Sequence, residues 1–488
     1  MTAYPDVSAR AALPTVIQGG MGVGVSSWQL ARAVSQRGQL GVVSGTALDV
    51  VVARRLQDGD PGGHVRRALA AFPVPEVADQ VRAMFFLDGG RRPGQAYRTV
   101  PMFTLTPPVS VQHLTVVANF CEVFLAKEGH DGVVGVNYLR KIEAPLPFAL
   151  LGALLAGVDY VLVGAGNPAH IPELVRRLAR RDGAALPVRT QGTTSADGQF
   201  AVRCSPRALL GHGPALPVPK VLAIVSSVDL AVGLAGDPDT RPDGFVVEAP
   251  TAGGHNAPPR GPRRTTEAGE PVYGERDRVP LDPIWALGLP YWLAGGRGTP
   301  EGLRQARAAG AAGVQVGTAF AFAAESGLEP SLKSRVLESL VSGEPPAVHT
   351  DWRVSPTGFP FKIVDVDGTL SDADMVDHRP RVCDVGALRT PYRKDDGTMG
   401  YRCPAEPVAA YVDRKGGRPA NTDGRTCLCN ALLATAGLAQ RRPHDYTEPP
   451  LITAGDDFTA VATLARTHQH HLPYPAHAVL DYLLQDAA

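Results

Sequence analysis

The sequence predicts an α/β protein folded as a (β/α)8 barrel of TIM type, and three observations predict it. Short apolar runs alternate with helical stretches through the first three quarters of the chain. Eight such runs occur before residue 320, each followed by helical material. Seven of the eight end in glycine, asparagine or small polar residues, as strand ends do where a parallel barrel gathers its loops on one face. An open doubly wound sheet is the rival reading of the same alternation.

The elements follow in order. "PTVIQ" (14–18) is the first strand, and "SSWQLARAVSQRG" a helix that Ser26 or Ser27 can cap. "LGVVSG" (40–45) is the second strand. Two amphipathic segments near 62–71 and 75–86 then form a helical insertion, about 47–108, and a helix at 109–128 precedes "GVVGVN" (132–137). "DYVLVGAG" (159–166), "KVLAIVS" (220–226), "GFVVEA" (244–249), "PYWLAGG" (290–296) and "AGVQVGT" (312–318) complete the eight. Residues 183–215, with a hairpin-like "TTSADGQFAVR", and the Pro/Arg-rich loop 256–280 interrupt the rhythm. The expected organisation is a barrel over 1–365 and, over 366–488, an irregular, cysteine-containing C-terminal extension packed on it.

Composition narrows the function classes. The 488 residues are 44% apolar and 20% charged, enough for a sizeable core. Lysine plus arginine (48) equals aspartate plus glutamate (48), so no global field draws the chain to nucleic acid or an anionic membrane. The N-terminus "MTAYPDVSARAALPT" lacks the basic-then-apolar pattern of a secretion signal. The greasiest run, 147–166, carries Asp159 in its middle and reads as helix, turn and buried strand. With six cysteines in a long chain, a cytoplasmic protein with free thiols is expected.

The last two strand ends, "LAGGRGTP" and "VGTAF", each place glycine amides at a helix start. Paired helix N-termini after strands seven and eight suit a phosphate. "GFVVEAPTAGGHN" (244–256) ends a strand on two glycines and His255, an arrangement that presents an imidazole to the same face.

"QGGMGVGVSSWQLARAVSQRGQLGVVSG", "GVN", "APTAGGHN" and "YWLAGGRGTPEGLRQARAAGAAGVQVGTAF", in this order, resemble the nitronate monooxygenases, formerly 2-nitropropane dioxygenases, FMN-dependent TIM-barrel flavoenzymes. The resemblance covers roughly residues 10–330. It implies that Gly20, Met21 and Gly22 line the flavin ring, that Asn137 hydrogen-bonds it, and that Gly295, Gly296, Gly317 and Thr318 hold the FMN phosphate. It further implies that Gly253 and Gly254 turn the chain against the cofactor and that His255 is the catalytic residue on the substrate side. The implied reaction is oxidation of an alkyl nitronate with O2 to a carbonyl compound and nitrite. The implied partners are a small anionic substrate and O2, with neither nucleic acid nor membrane, and a homodimer is allowed for.

The chain departs from the family's motif at Glu248 and Thr251, where glutamine and glutamate are usual. Arg260, Arg263 and Arg264 follow, near the expected mouth, where they could draw an anionic or phosphorylated substrate. The alternative function is an FMN-dependent enoyl reductase acting on carrier- or CoA-bound acyl groups with NAD(P)H; a silent scaffold is the non-enzymatic rival. "IVDVDGTLSD" (363–372) looks like a haloacid-dehalogenase phosphatase motif but lacks the strand-helix units such a fold needs. Cys383, Cys403, Cys427 and Cys429 could hold a structural zinc; the absence of a C-x-x-C pair speaks for buried thiols instead.

Overall fold

The structure, a computed structural model, describes residues 13–194 and 197–485. The N-terminal 12 residues of the stretch read as lacking a secretion signal, and Ser195 and Ala196 of the hairpin-like segment, lie outside the described residues.

Eight parallel strands form the barrel: Val16–Gln18, Gly41–Ser44, Val134–Leu139, Tyr160–Gly164, Lys220–Val225, Gly244–Glu248, Tyr291–Ala294 and Gly313–Val316, called barrel strands one to eight below. Each pairs with the next, with Ser44 opposite Asn137, Leu162 opposite Leu222 and Val246 opposite Trp292. Strand eight returns to strand one with Gln315 opposite Ile17. The ring closes between strands one and two, where the Gln18 amide donates to Leu40 O at 2.9 Å and the Leu40 amide to Val16 O at 3.1 Å. This closure excludes the open sheet.

The strands run apolar because both of their faces are buried. Ile17, Val42, Leu162, Leu222, Val246 and Trp292 pack together inside the ring. Their neighbours Val16, Val43, Val161, Val163 and Phe245 face the helices. Trp292 is wholly buried and donates its indole N–H to Pro14 O at 2.8 Å.

The insertion after strand two holds the helices Leu48–Gln57, His64–Ala70 and Pro75–Phe85. Sequence reading missed the first of them: Ala47 starts it at φ 52° with no capping side chain, so it carries no start signal. The helix Val109–Lys127 is long and apolar enough to cross a membrane; most of it is packed inside the protein, against Leu48–Gln57 and Leu146–Leu155. The greasy run 147–166 is the helix Leu146–Leu155, a turn at Gly157 (φ +71°) and barrel strand four.

Beyond the barrel come two antiparallel hairpins, Val348–Asp351 with Phe361–Val364 and Thr390–Arg393 with Met399–Arg402, and the helices Leu428–Thr435, Thr459–Thr467 and Ala476–Leu484. The phosphatase-like segment 363–372 starts at the end of the strand Phe361–Val364, whose pairing is antiparallel rather than the parallel sheet such a nucleophile needs. The Tyr474 hydroxyl donates to Ala319 O at 2.7 Å and ties the last part of the chain to the loop after strand eight.

Candidate active site

All eleven residues singled out in the sequence (Gly20, Met21, Gly22, Asn137, Gly253, Gly254, His255, Gly295, Gly296, Gly317 and Thr318) line one cavity of about 230 Å³ at the C-terminal end of the barrel strands.

The first loop is held from below. Ser26 Oγ donates to Gly19 O at 2.8 Å and accepts the Met21 amide at 2.8 Å, while Ser44 Oγ donates to Gly22 O at 2.6 Å. Asn137 Nδ2 donates to Gly20 O at 3.0 Å, which fixes the amide and leaves its buried Oδ1 without a partner. Gln315, on strand eight, lines the same cavity with a buried Oε1 equally unpartnered. Two orphaned acceptors in one cavity call for a ligand carrying N–H groups. Sequence reading missed Gln315 because nothing in "GVQV" separates an inward amide from an ordinary strand residue.

Gly20 is required by contact: a Cβ there would stand 2.3 Å from Asn137 Cβ. Gly20→Ala should therefore cost about 1–3 kcal/mol of stability and displace Asn137. Thermal unfolding of the variant against the unchanged protein checks this.

Across the cavity, Gly295 and Gly296 adopt φ +90° and +62°, conformations that side chains disfavour. They lead to Thr299, whose hydroxyl caps the helix Pro300–Ala308 by accepting the Gly302 amide at 3.1 Å. Gly317 and Thr318 open the next helical turn. Thr318 Oγ1 accepts the Gly455 amide at 2.9 Å, so the C-terminal extension forms part of this wall and the hydroxyl keeps its own proton to donate.

The glycine pair before His255 meets the C-terminal extension. Gly253 is required by contact with the extension's backbone: a Cβ would lie 2.7 Å from the Ala454 carbonyl carbon. Gly254 does turn the chain, at φ +77°, and its amide donates to Thr453 Oγ1 at 2.9 Å. His255 Nε2 lies 2.6 Å from Ser355 Oγ, and its ring meets Phe361 edge-on at 4.9 Å. Burial, and then the charge of Lys141, hold the imidazole well below its usual range, so it is neutral at pH 7.

Lys141 and Glu248 complete the electrostatics. Lys141 follows barrel strand three and places Nζ 3.7 Å from the centre of the Phe359 ring. Burial lowers its ammonium to about 7, opposed by the charge of Glu248. Burial raises Glu248 to about 7, opposed by Lys141. Lys141 opens onto an adjoining chamber of about 700 Å³, which shares Thr46, Leu139, Ile142 and Leu388 with the inner cavity. Six cations line that chamber (Arg140, Lys141, Arg189, Arg389, Arg402 and Arg425) against two carboxylates, Asp49 and Glu143.

The arginines expected at the mouth are elsewhere. Arg260 accepts no role there: its amide donates to Asp277 at 2.7 Å and its guanidinium to Arg276 O at 2.7 Å. Arg263 stacks on Trp352 at 4.3 Å, and neither these two nor Arg264 line the cavity or the chamber. Among the described residues, no group of three or more His, Cys, Asp or Glu side chains is placed to hold a metal, so the zinc suggested for Cys383, Cys403, Cys427 and Cys429 has no site there.

Residues 220–343 match the family model described as nitronate monooxygenase. No curated protein matches the chain. Similar solved structures include FabK from Thermotoga maritima, at 15% identity over 99% of this chain and 96% of that one, with a TM-score of 0.47. A nitroalkane oxidase from Streptomyces ansochromogenes shows 16% identity over 97% and 95%, with a TM-score of 0.46. The enoyl reductase domain of MlnA, from the macrolactin biosynthesis cluster of Bacillus amyloliquefaciens, shows 12% over 78% and 72%, with a TM-score of 0.39. The matched stretch runs from barrel strand five to the helix Pro330–Ser342 and carries Glu248, His255 and the glycines after strands seven and eight.

Proposed function

We propose that the protein is an FMN-dependent oxidoreductase of nitronate monooxygenase type, oxidising an alkyl nitronate with O2 to a carbonyl compound and nitrite. The carrying observation is that eleven residues from separate loops line one cavity that holds two unpartnered acceptors and a neutral histidine, with a lysine on the adjoining chamber. FMN, when bound, would supply the electron-accepting ring. Asn137 Oδ1 and Gln315 Oε1 would accept its N–H groups, and the amides at Gly295, Gly296 and Gly317, with the Thr318 hydroxyl, would hold its phosphate. A nitronate is already an anion and needs no base. His255 would donate a hydrogen bond to its oxygens, and the Lys141 ammonium would offset its charge. We further propose a cytoplasmic enzyme taking a small anionic substrate, with the homodimer as its simplest assembly.

The enoyl reductase reading draws on a specific observation, the 700 Å³ basic chamber, which has room for the long anionic arm of a carrier-bound acyl group. The two are separated by anaerobic titration of the FMN-loaded protein, once with the nitronate of 2-nitropropane and once with NADPH. Bleaching of the flavin band by the nitronate alone supports the oxidation. Bleaching by NADPH alone moves the assignment to the reductase, and failure to bind FMN overturns both.

His255→Asn should retain FMN and lose about 10²-fold in kcat. Equal loss in the variant's FMN affinity would assign His255 to cofactor binding instead.

A further inference from the structure

The reaction proposed above uses none of the four cysteines beyond the barrel, yet the fold brings them together. Cys403, which follows the hairpin Thr390–Arg393/Met399–Arg402, packs with Cys427 and Cys429 in one small cluster, and Cys383 lies close enough for its charge to be felt there. Cys427 is buried, and Cys429 is half-buried in the wall of the inner cavity beside Leu428 and Leu432.

Residues two apart on a regular helix do not face each other. Cys427 escapes that rule because it is the N-cap of the helix Leu428–Thr435, with a non-helical backbone at φ −75° and ψ 85°. The Cys429 thiol donates to the Cys427 sulfur, and the Asn430 amide points at the same atom. These donors hold Cys427 below the ordinary thiol range, while burial and the neighbouring sulfur hold Cys429 above it. The helix is fixed in turn by Asn430 Nδ2, which donates to Asp384 Oδ1 at 2.9 Å.

We propose that Cys427 and Cys429 are a redox-active dithiol in the cavity wall, which closes to a disulfide when a peroxide reaches Cys429. Two observations carry this: the packing of Cys429 against the cluster that holds Cys427 at the start of the helix, and the opening of Cys429 onto the cavity. Cys429 sulfur attacks one peroxide oxygen as its proton passes to the Cys427 thiolate, so no free thiolate builds up on Cys429; the O–O bond breaks, Cys429 becomes a sulfenic acid, and the departing hydroxide takes a proton from solvent. Cys427 sulfur then attacks Cys429 sulfur and expels hydroxide, which leaves as water with the Cys427 proton. In sum, two thiols and one hydrogen peroxide give one disulfide and two waters.

The test needs no cofactor, so its failure leaves the reading of the cavity intact, and failure of FMN binding leaves this one intact. Reduced full-length protein is treated with equimolar hydrogen peroxide, free thiols are alkylated, and tryptic peptides are weighed. Cys427 and Cys429 fall on one peptide, between Arg425 and Arg441. The expected product is that peptide two hydrogens lighter, unalkylated and restored by dithiothreitol. The core thiols Cys121 and Cys204, buried and away from the cavity, should react at least about 10-fold more slowly. Cys403→Ser should still form the disulfide, and Cys429→Ser should not. A disulfide from Cys427 to Cys403, oxidation stopping at a single cysteine, or zinc or iron retained at one per chain would each overturn the proposal.

Discussion

Lys141→Met should lower turnover of an anionic substrate by about 10²-fold or more while FMN stays bound. Lys141 is the cation that both His255 and Glu248 sense, and it stands where the inner cavity meets the basic chamber. Its ammonium is present below pH 7 and lost as the pH rises through about 7, because burial disfavours the charged form. Glu248 acquires its negative charge over the same range, so the two titrate as a pair. The pH profile of kcat/KM should therefore fall on the alkaline side of pH 7. Glu248→Gln removes the negative charge that supports the ammonium, so the falling limb should move to lower pH. Lys141→Arg keeps a cation that does not titrate, so the limb should flatten even where the rate is reduced. A profile unchanged in Glu248→Gln would separate the two residues and leave the limb to another group.

Strand positions were legible because each barrel strand is apolar on both faces and bounded by glycine or small polar residues; the observed strands sit inside the expected runs, one or two residues shorter at most ends except at strand three, which runs on to Leu139. The glycine loops were legible for the same local reason. Lys141 was not, because "NYLRK" offers only a basic strand end, and its meaning comes from Glu248 more than a hundred residues away. Nor was the part played by the extension. Thr453 and Gly455 reach Gly254 and Thr318 through single backbone amides, contacts that leave no periodic trace in the sequence. Gly253 illustrates the limit: the sequence shows the glycine, and the backbone at Ala454 that a Cβ there would meet lies about two hundred residues further on.

That dependence makes Glu448 the residue whose loss should be felt furthest. Glu448→Ala should destabilise the protein by about 3–5 kcal/mol, the usual consequence of stranding a buried charge. The Glu448 carboxylate is fully buried: Oε2 accepts Arg379 Nε at 3.0 Å, and Oε1 accepts Arg442 Nε at 2.9 Å. Arg442 also binds Asp384 at 3.0 Å, the carboxylate that holds Asn430 and with it the helix Leu428–Thr435. With Glu448 gone, Arg379, only 7% exposed, keeps its charge and loses its partner. Five to seven residues later the same chain supplies Thr453 and Gly455 to the cavity, so FMN affinity should fall along with stability. Urea unfolding of the cofactor-free protein and an FMN titration measure the two separately. Glu448→Leu combined with Arg379→Leu removes both charges at once and should recover much of the stability, because the cost lies in the stranded guanidinium more than in the lost hydrogen bonds. If the double variant is as unstable as Glu448→Ala, the geometry of the network, through Arg442 and Asp384, is what holds the extension against the barrel.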